Sequence, residues 1–159
     1  MSIRLAIAAA SISLLFGPPN IKIETVSNPA TAVVKGAVLM VTGRHHVSAD
    51  EIRVTGRAEG IVAGKRVTQN LTLIPAGSPS VYGVTRQWTA GQPWVLVFTV
   101  TSAAHDADGV AEALVKLAED GRVVGIDYPM GALAGGTPWP RKVGAREIDD
   151  ALAALARRE

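Results

Sequence analysis

The stretch from 52 to 59 reads Ile-Arg-Val-Thr-Gly-Arg-Ala-Glu and alternates apolar with polar side chains around one glycine. A second alternating stretch runs from 66 to 73. A period of two places one face of a strand in a core and the other face in water. Because the intervening segment 60–65 contains Gly64, the two stretches together predict a β-hairpin. The same alternation predicts that the side chain of Glu59 is solvated.

Further strands are predicted on both sides of this hairpin. They cover 21–27, 33–42, 81–87, 94–101 and 122–128. The stretch 94–101, Trp-Val-Leu-Val-Phe-Thr-Val-Thr, is apolar on both faces and rich in β-branched side chains, so we place it in the centre of a sheet. The stretch 111–118 has the composition of a helix. We nevertheless predict a strand there, because a Glu-Asp-Gly turn signal follows it and a helix so short has little cooperative support.

The C-terminal part of the chain follows a different pattern. Residues 129–140 are rich in glycine and proline and are predicted to form a loop. In the tail from 145 to 157, Ile148, Leu152 and Leu155 recur at i, i+4 and i+7 and form one apolar stripe. This stripe predicts a short amphipathic helix that docks on the rest of the domain.

Seven or eight short strands with regular turn signals predict an all-β fold, an antiparallel β-sandwich with a short C-terminal helix. A small closed barrel is the alternative. The predicted organisation is a leader over 1–17, a β-sandwich domain over 18–140 and a helical segment over 141–159. After removal of the leader about 140 residues remain, which suits one domain with a single core.

The leader is predicted from the first residues of the chain. Arg4 supplies a positive start, the run 5–16 is apolar, and Gly17-Pro18-Pro19 breaks it. This arrangement is typical of a secretory signal peptide, and the run is shorter than the roughly 20 apolar residues that a membrane span needs. The segment 30–32, Ala-Thr-Ala, offers a later cleavage site. The composition looks bacterial, so we expect a periplasmic or secreted protein without a stable membrane span.

A resemblance to a known family lies within residues 50–102. The matching residues are Gly64-Lys65-Arg66, Leu71-Thr72-Leu73, Val81-Tyr82, Gly91 and Trp94-Val95-Leu96-Val97. They resemble exported bacterial immunoglobulin-like domains of the YtkA/FixH kind. The resemblance implies an immunoglobulin-like sandwich in the periplasm, with some relatives near copper-oxidase assembly. No metal-site motif of that group transfers to this chain.

Composition excludes several kinds of function. The chain has no cysteine, so it has no disulfide, thiolate metal site or cysteine nucleophile. A formal charge of +2 gives no electrostatic argument for binding nucleic acid. Signature motifs of esterases, zinc proteases and phosphate-binding loops are absent from the sequence.

Candidate site residues remain for three hypotheses. In the leading hypothesis the protein is not an enzyme but an exported β-sandwich that binds a partner or supports an assembly. Trp88 and Trp139 would contact an unknown protein or small ligand, although aromatic side chains equally close the ends of a sandwich core. The second hypothesis is copper handling through His45, His46 and Met40, because imidazole and thioether groups bind this metal. The third is a hydrolase with a dispersed site that includes His105 and Asp106. Copper is the one cofactor that these residues suggest.

Overall fold

The structure, a computed structural model, describes residues 17–45, 51–102 and 109–157. These residues form eleven strands and one helix. The strands are β1 (Asn20–Thr25), β2 (Ala37–Arg44), β3 (Ile52–Val62), β4 (Lys65–Asn70), β5 (Ile74–Pro75), β6 (Val81–Thr85), β7 (Trp94–Ser102), β8 (Ala111–Leu117), β9 (Val123–Asp127), β10 (Met130–Ala132) and β11 (Pro138–Pro140), and the helix is α1 (Ala145–Ala156). The predicted all-β fold with a C-terminal helix is confirmed.

The strands form two larger sheets and one small ribbon. The first sheet has the order β1-β2-β6-β5, the second has the order β4-β3-β7-β8-β9, and β10 pairs with β11. Each of these strand pairs is antiparallel. Among the described residues, eight strands have five or more residues, and three shorter ones, β5, β10 and β11, take the total beyond the predicted seven or eight.

The two larger sheets pack face to face over a common core, with β7 in the centre of the five-stranded sheet. Large side chains of β7 lie opposite glycines of β3. Trp94 pairs with Gly60 and Phe98 pairs with Gly56, and a Cβ added to either glycine would come within 2.7 or 2.9 Å of the facing ring. The absence of side chains on β3 therefore makes the space that these two aromatic rings fill.

Strand β8 confirms the prediction for the ambiguous stretch 111–118. It lies between β7 and β9, and six of its seven residues are buried. Leu114 is 3% exposed and Val115 is 0% exposed. Val115 faces the core between the sheets, whereas Leu114 faces the helix. Burial on both faces explains why the stretch lacks an alternating pattern and has the composition of a helix.

Helix α1 docks on the outer face of the five-stranded sheet, as predicted. Its apolar stripe, which includes Ile148, Leu152 and Leu155, packs with Val95 and Val97 of β7. The sandwich thus has a third layer on one side. At the helix start, the carboxylate of Glu147 accepts a hydrogen bond from the backbone N–H of the N-cap residue, Gly144, at 2.8 Å.

The prediction that Glu59 is solvated is wrong. Glu59 does point to the outer face of β3, but the residue is buried and its side chain is 8% exposed. Its carboxylate accepts hydrogen bonds from Nε of Arg57 at 3.0 Å and from Nε of Arg66 at 3.1 Å. Arg66 also pairs with Asp149 of α1. Because the helix covers this part of the sheet, the outer face is not a solvated face here.

The prediction of a loop over 129–140 is wrong in part, because β10 and β11 form a short hairpin within it. The backbone N–H of Arg141 donates to the Pro129 carbonyl at 3.1 Å, and that of Leu133 donates to Thr137 at 2.9 Å. Hydrogen-bonded positions alternate along an antiparallel pair, so the prolines 138 and 140 fall between them. Proline is compatible with a strand at such positions because its missing N–H is not required there.

Candidate ligand-binding cleft

A cleft of about 350 Å³ lies at one end of the sandwich, between β1 and the segment that follows β9. It is lined by residues 19–22 at the start of β1, Arg44 at the end of β2, residues 111–112 at the start of β8, residues 128–130, and Pro140. These segments meet because Asn20 pairs with Arg44 across β1 and β2, and because β9 runs antiparallel to β8 toward the same end. The cleft is therefore built by the sheet topology from segments that are distant in sequence.

The lining of the cleft is predominantly apolar. Ile21, Pro129 and Pro140 contribute to its walls, together with the side chains of Tyr128 and Met130. Tyr128 is 44% exposed and Met130 is 50% exposed, and Leu133 in the neighbouring hairpin is 46% exposed. Tyr128 and Met130 thus place two large and partly exposed apolar side chains together in the wall of the cleft.

The Tyr128 hydroxyl closes the inner wall of the cleft. It accepts a hydrogen bond from the backbone N–H of Ile23 at 3.2 Å. Ile23 lies in β1, which is an edge strand of the four-stranded sheet. The bond connects this edge to the segment after β9 and so fixes the aromatic ring between the two sheets.

Arg141 holds the outer wall of the cleft against helix α1. Its Nε donates to the carbonyl oxygen of Met130 at 3.2 Å, and its two Nη atoms donate to the carboxylate of Glu147 at 2.6 and 2.9 Å. The hydrogen bonds from Arg141 and from the backbone N–H of Gly144 lower the pKa of Glu147 to about 2. The pair is bidentate, which fixes the orientation of the guanidinium group as well as its position.

Substitution Glu147→Gln is expected to loosen the β10–β11 hairpin without unfolding the domain. Without the carboxylate, Arg141 has no charged partner, and the hairpin has one anchor fewer. We expect hydrogen exchange at the Arg141 amide, which donates to Pro129, to accelerate about twofold to fivefold, the range for a partly exposed ion pair. Exchange at the amides of β7 serves as the control and is expected to stay unchanged. Equal exchange at Arg141 in both proteins would contradict the anchoring role.

The charged residues that line the cleft differ in their exposure and in their partners. Lys22 pairs with Glu24 at 2.8 Å, and both side chains are more than half exposed. Glu112 is 6% exposed, and its carboxylate accepts hydrogen bonds from the Thr99 hydroxyl at 2.8 Å and from the Val143 N–H at 2.6 Å. The side chain of Arg44 is exposed and has no ion-pair or hydrogen-bond partner in the part of the chain that the structure describes.

The structure does not bring the residues of the copper hypothesis together as far as it describes them. Met40 lies within β2, and His45 follows the end of that strand, so about 16 Å of extended chain separates them. His46, the second imidazole of the hypothesis, lies outside the described residues, as do His105 and Asp106. Within 17–45, 51–102 and 109–157, no group of three or more histidine, aspartate or glutamate side chains is arranged to hold a metal ion.

The two tryptophans of the binding hypothesis lie in different surroundings. Trp88 is 5% exposed and belongs to the core between the sheets, so its ring is not available to a ligand. Trp139 is half-buried in β11. Its Nε1 lies so close to Gly109 that a Cβ there would come within 3.0 Å. The ring of Trp139 thus packs the hairpin against the chain that leads into β8.

The sequence patterns did not indicate Arg44, Tyr128 or Met130. A usable signal was nevertheless present, because an aromatic residue, a proline and a methionine follow one another directly after a strand. Large apolar side chains in a stretch rich in glycine and proline have no regular element of their own to pack in. Such residues are candidates for a surface cleft.

Comparison with protein-family models, with curated proteins and with solved structures finds no match for this chain. Among the helical residues that the structure describes, none belongs to a helix that is long and apolar enough to cross a membrane.

Proposed function

We propose that the protein is an exported, non-catalytic β-sandwich that binds an apolar group of a ligand in the cleft between β1 and the segment after β9. The single observation that carries this proposal is the apolar cleft of about 350 Å³, whose lining includes the exposed side chains of Tyr128 and Met130. Clefts of about 300–1,000 Å³ with mostly apolar walls are typical of small-molecule sites.

The charged groups of the molecule favour binding over catalysis. An enzyme is expected to hold an acid or a histidine with a perturbed pKa in a pocket. Among the described acids, those with a resolved shift are Glu59 and Glu147, and in both the pKa is lowered. Glu59 pairs with Arg57 and Arg66, and Glu147 pairs with Arg141. These ion pairs hold the fold together around α1, so the pKa shifts have a structural cause.

The order of the strands supports an immunoglobulin-like topology for this sandwich. In constant-type immunoglobulin domains the strands form sheets A-B-E-D and C-F-G, where the letters follow chain order. Strands β1, β2, β6 and β5 have the first order. Strands β3, β7 and β8 have the second, with β4 added beside β3 and β9 added beside β8. The proposal of export rests on the sequence of the leader over 1–17.

Substitution Met130→Asp tests the cleft. We expect the neutral fluorophore N-phenyl-1-naphthylamine to bind the wild-type protein at one saturable site. The variant is expected to bind it about tenfold more weakly, because it loses an apolar contact and places a charge in the wall. The measurement is a fluorescence titration of both proteins.

Substitution Val33→Asp is the matched control, because Val33 is 82% exposed and lies between β1 and β2 at the opposite end of the sandwich. Its affinity for the fluorophore is expected to equal that of the wild type. Absence of saturable binding, or an equal loss in both variants, would reject the cleft as the binding site.

A further inference from the structure

We propose that the ligand of the cleft is a small amphipathic anion, whose apolar body lies against Ile21, Tyr128 and Met130 and whose acidic head lies at Arg44. This inference rests on the proposed function and extends it from an apolar group to a class of ligand. A carboxylate joined to a short alkyl or aryl body is the simplest member of this class.

Arg44 places a positive charge at the rim of the cleft. Arg44 is the last residue of β2, its side chain is exposed, and it lines the cleft. That side chain makes no ion pair or hydrogen bond within the described ranges. The other cation of the lining, Lys22, is already paired with Glu24. The guanidinium of Arg44 is therefore the charge that remains for a ligand, and its fork of N–H donors matches a carboxylate.

The acid in the lining does not neutralise Arg44. Glu112 is the one carboxylate among the lining residues of the cleft that the structure describes. Its two oxygens accept hydrogen bonds from the Thr99 hydroxyl and the Val143 N–H, and the residue is only 6% exposed. These bonds hold the carboxylate in the protein interior. An anion at the rim would thus meet a cation that none of the described acids pairs with.

The apolar walls of the cleft favour an apolar body for the rest of the ligand. Ile21 is 6% exposed, and the ring of Tyr128 is held beside it by the hydrogen bond from Ile23. Met130 forms the opposite wall, which Arg141 connects to α1. A fully polar anion would leave the side chains of Tyr128 and Met130 exposed, whereas an amphipathic one removes their apolar surface from water.

The experiment compares octanoate with octan-1-ol, which share an alkyl chain and differ in charge. Both are titrated at low ionic strength into the protein from which the leader has been removed. Binding is followed by the amide chemical shifts of Ile21 and Met130 in NMR spectra. We expect octanoate to bind about fivefold more tightly than the alcohol. The preference is expected to shrink in concentrated salt, because the rim is open to solvent.

Two variants assign the preference to Arg44. Arg44→Gln is expected to bind both probes with the affinity that the wild type has for octan-1-ol. Arg122→Gln is the matched control, because Arg122 is 69% exposed in its side chain and precedes β9 at the far end from Tyr128. It is expected to keep the wild-type preference.

The outcomes separate this inference from the proposed function. If the wild type binds both probes equally, the anionic class is wrong while the apolar cleft stands. If neither probe binds, the proposed function fails as well. A preference that survives in Arg44→Gln, or that disappears equally in Arg122→Gln, overturns the assignment of the acidic head to Arg44.

Discussion

Replacing Phe98 with alanine is expected to lower the free energy of unfolding by about 3–5 kcal/mol, the range for truncation of a buried aromatic side chain. Phe98 is 0% exposed in the central strand β7, and its ring lies against Gly56 of β3. Because a glycine has no side chain that could move into the vacated space, the cavity closes little. The loss is therefore expected in the upper half of this range. Urea denaturation measures it as a lower midpoint with an unchanged slope.

Two further variants make this prediction specific. Ile61→Ala removes a side chain that is 44% exposed on the neighbouring strand, and a loss below about 1 kcal/mol is expected for it. Gly56→Ala is expected to destabilise the wild type, because its Cβ would lie 2.9 Å from the Phe98 ring. In the Phe98→Ala background the same change is expected to be neutral or stabilising, since alanine restricts the unfolded chain more than glycine does. A Phe98→Ala loss as small as that of Ile61→Ala would contradict the packing described.

The strands were predictable where burial follows a local period. The alternation over 52–59 and the glycine turn near Gly64 predicted the hairpin of β3 and β4, and the apolar stretch 94–101 predicted the central strand β7. In the hairpin the alternation reports which side chains face the core, and in β7 the unbroken apolar run reports burial on both faces. The stripe of Ile148, Leu152 and Leu155 predicted α1 for the same reason, with a helical period.

Predictions failed where a distant segment covers a surface that the local pattern assigns to water. The alternation places Glu59 on the correct face of β3, but it contains no information that α1 lies over that face. The hairpin of β10 and β11 was missed because its prolines occupy positions that need no N–H, a condition set by the register of the pair.

The cleft was unpredictable for a related reason. Arg44 ends a strand of the four-stranded sheet, whereas Tyr128 follows β9 of the five-stranded sheet, and the two come together through the packing of β1 on β7 and β8. Residue type alone indicated Trp88 as a contact for a ligand, yet the fold uses that ring for the core. Residue type predicts what a side chain can do, whereas its exposure depends on contacts between segments far apart in sequence.

The second large effect is expected at the buried carboxylate of Glu59 in β3, which pairs with Arg66 of β4. Arg66→Met leaves the Glu59 carboxylate, whose side chain is 8% exposed, with Arg57 as its remaining cation among the described residues. Loss of one partner of a buried pair costs about 3–5 kcal/mol. Because Arg57 stays and the Arg66 side chain is 38% exposed, we expect about 2–3 kcal/mol at neutral pH. Lys65→Met, a change of the exposed neighbour on β4, is the control and is expected to have little effect.

The pH dependence of this loss distinguishes an ion pair from simple packing. Burial raises the pKa of Glu59, but the hydrogen bonds and charges of Arg66 and Arg57 outweigh it, so the net pKa lies below the ordinary 4.5. A carboxylate with a lowered folded pKa stabilises the fold above its unfolded pKa, and this stabilisation is lost as the pH falls through the folded value. The difference between wild type and Arg66→Met is thus expected to be complete at about pH 7 and to shrink below about pH 4.5. Adding Glu59→Leu to Arg66→Met removes the buried carboxylate that has lost one of its two arginine partners, and is expected to recover part of the stability. A difference that stays constant down to about pH 3, with no recovery in the double variant, would show that Arg66 acts through packing of its alkyl chain alone.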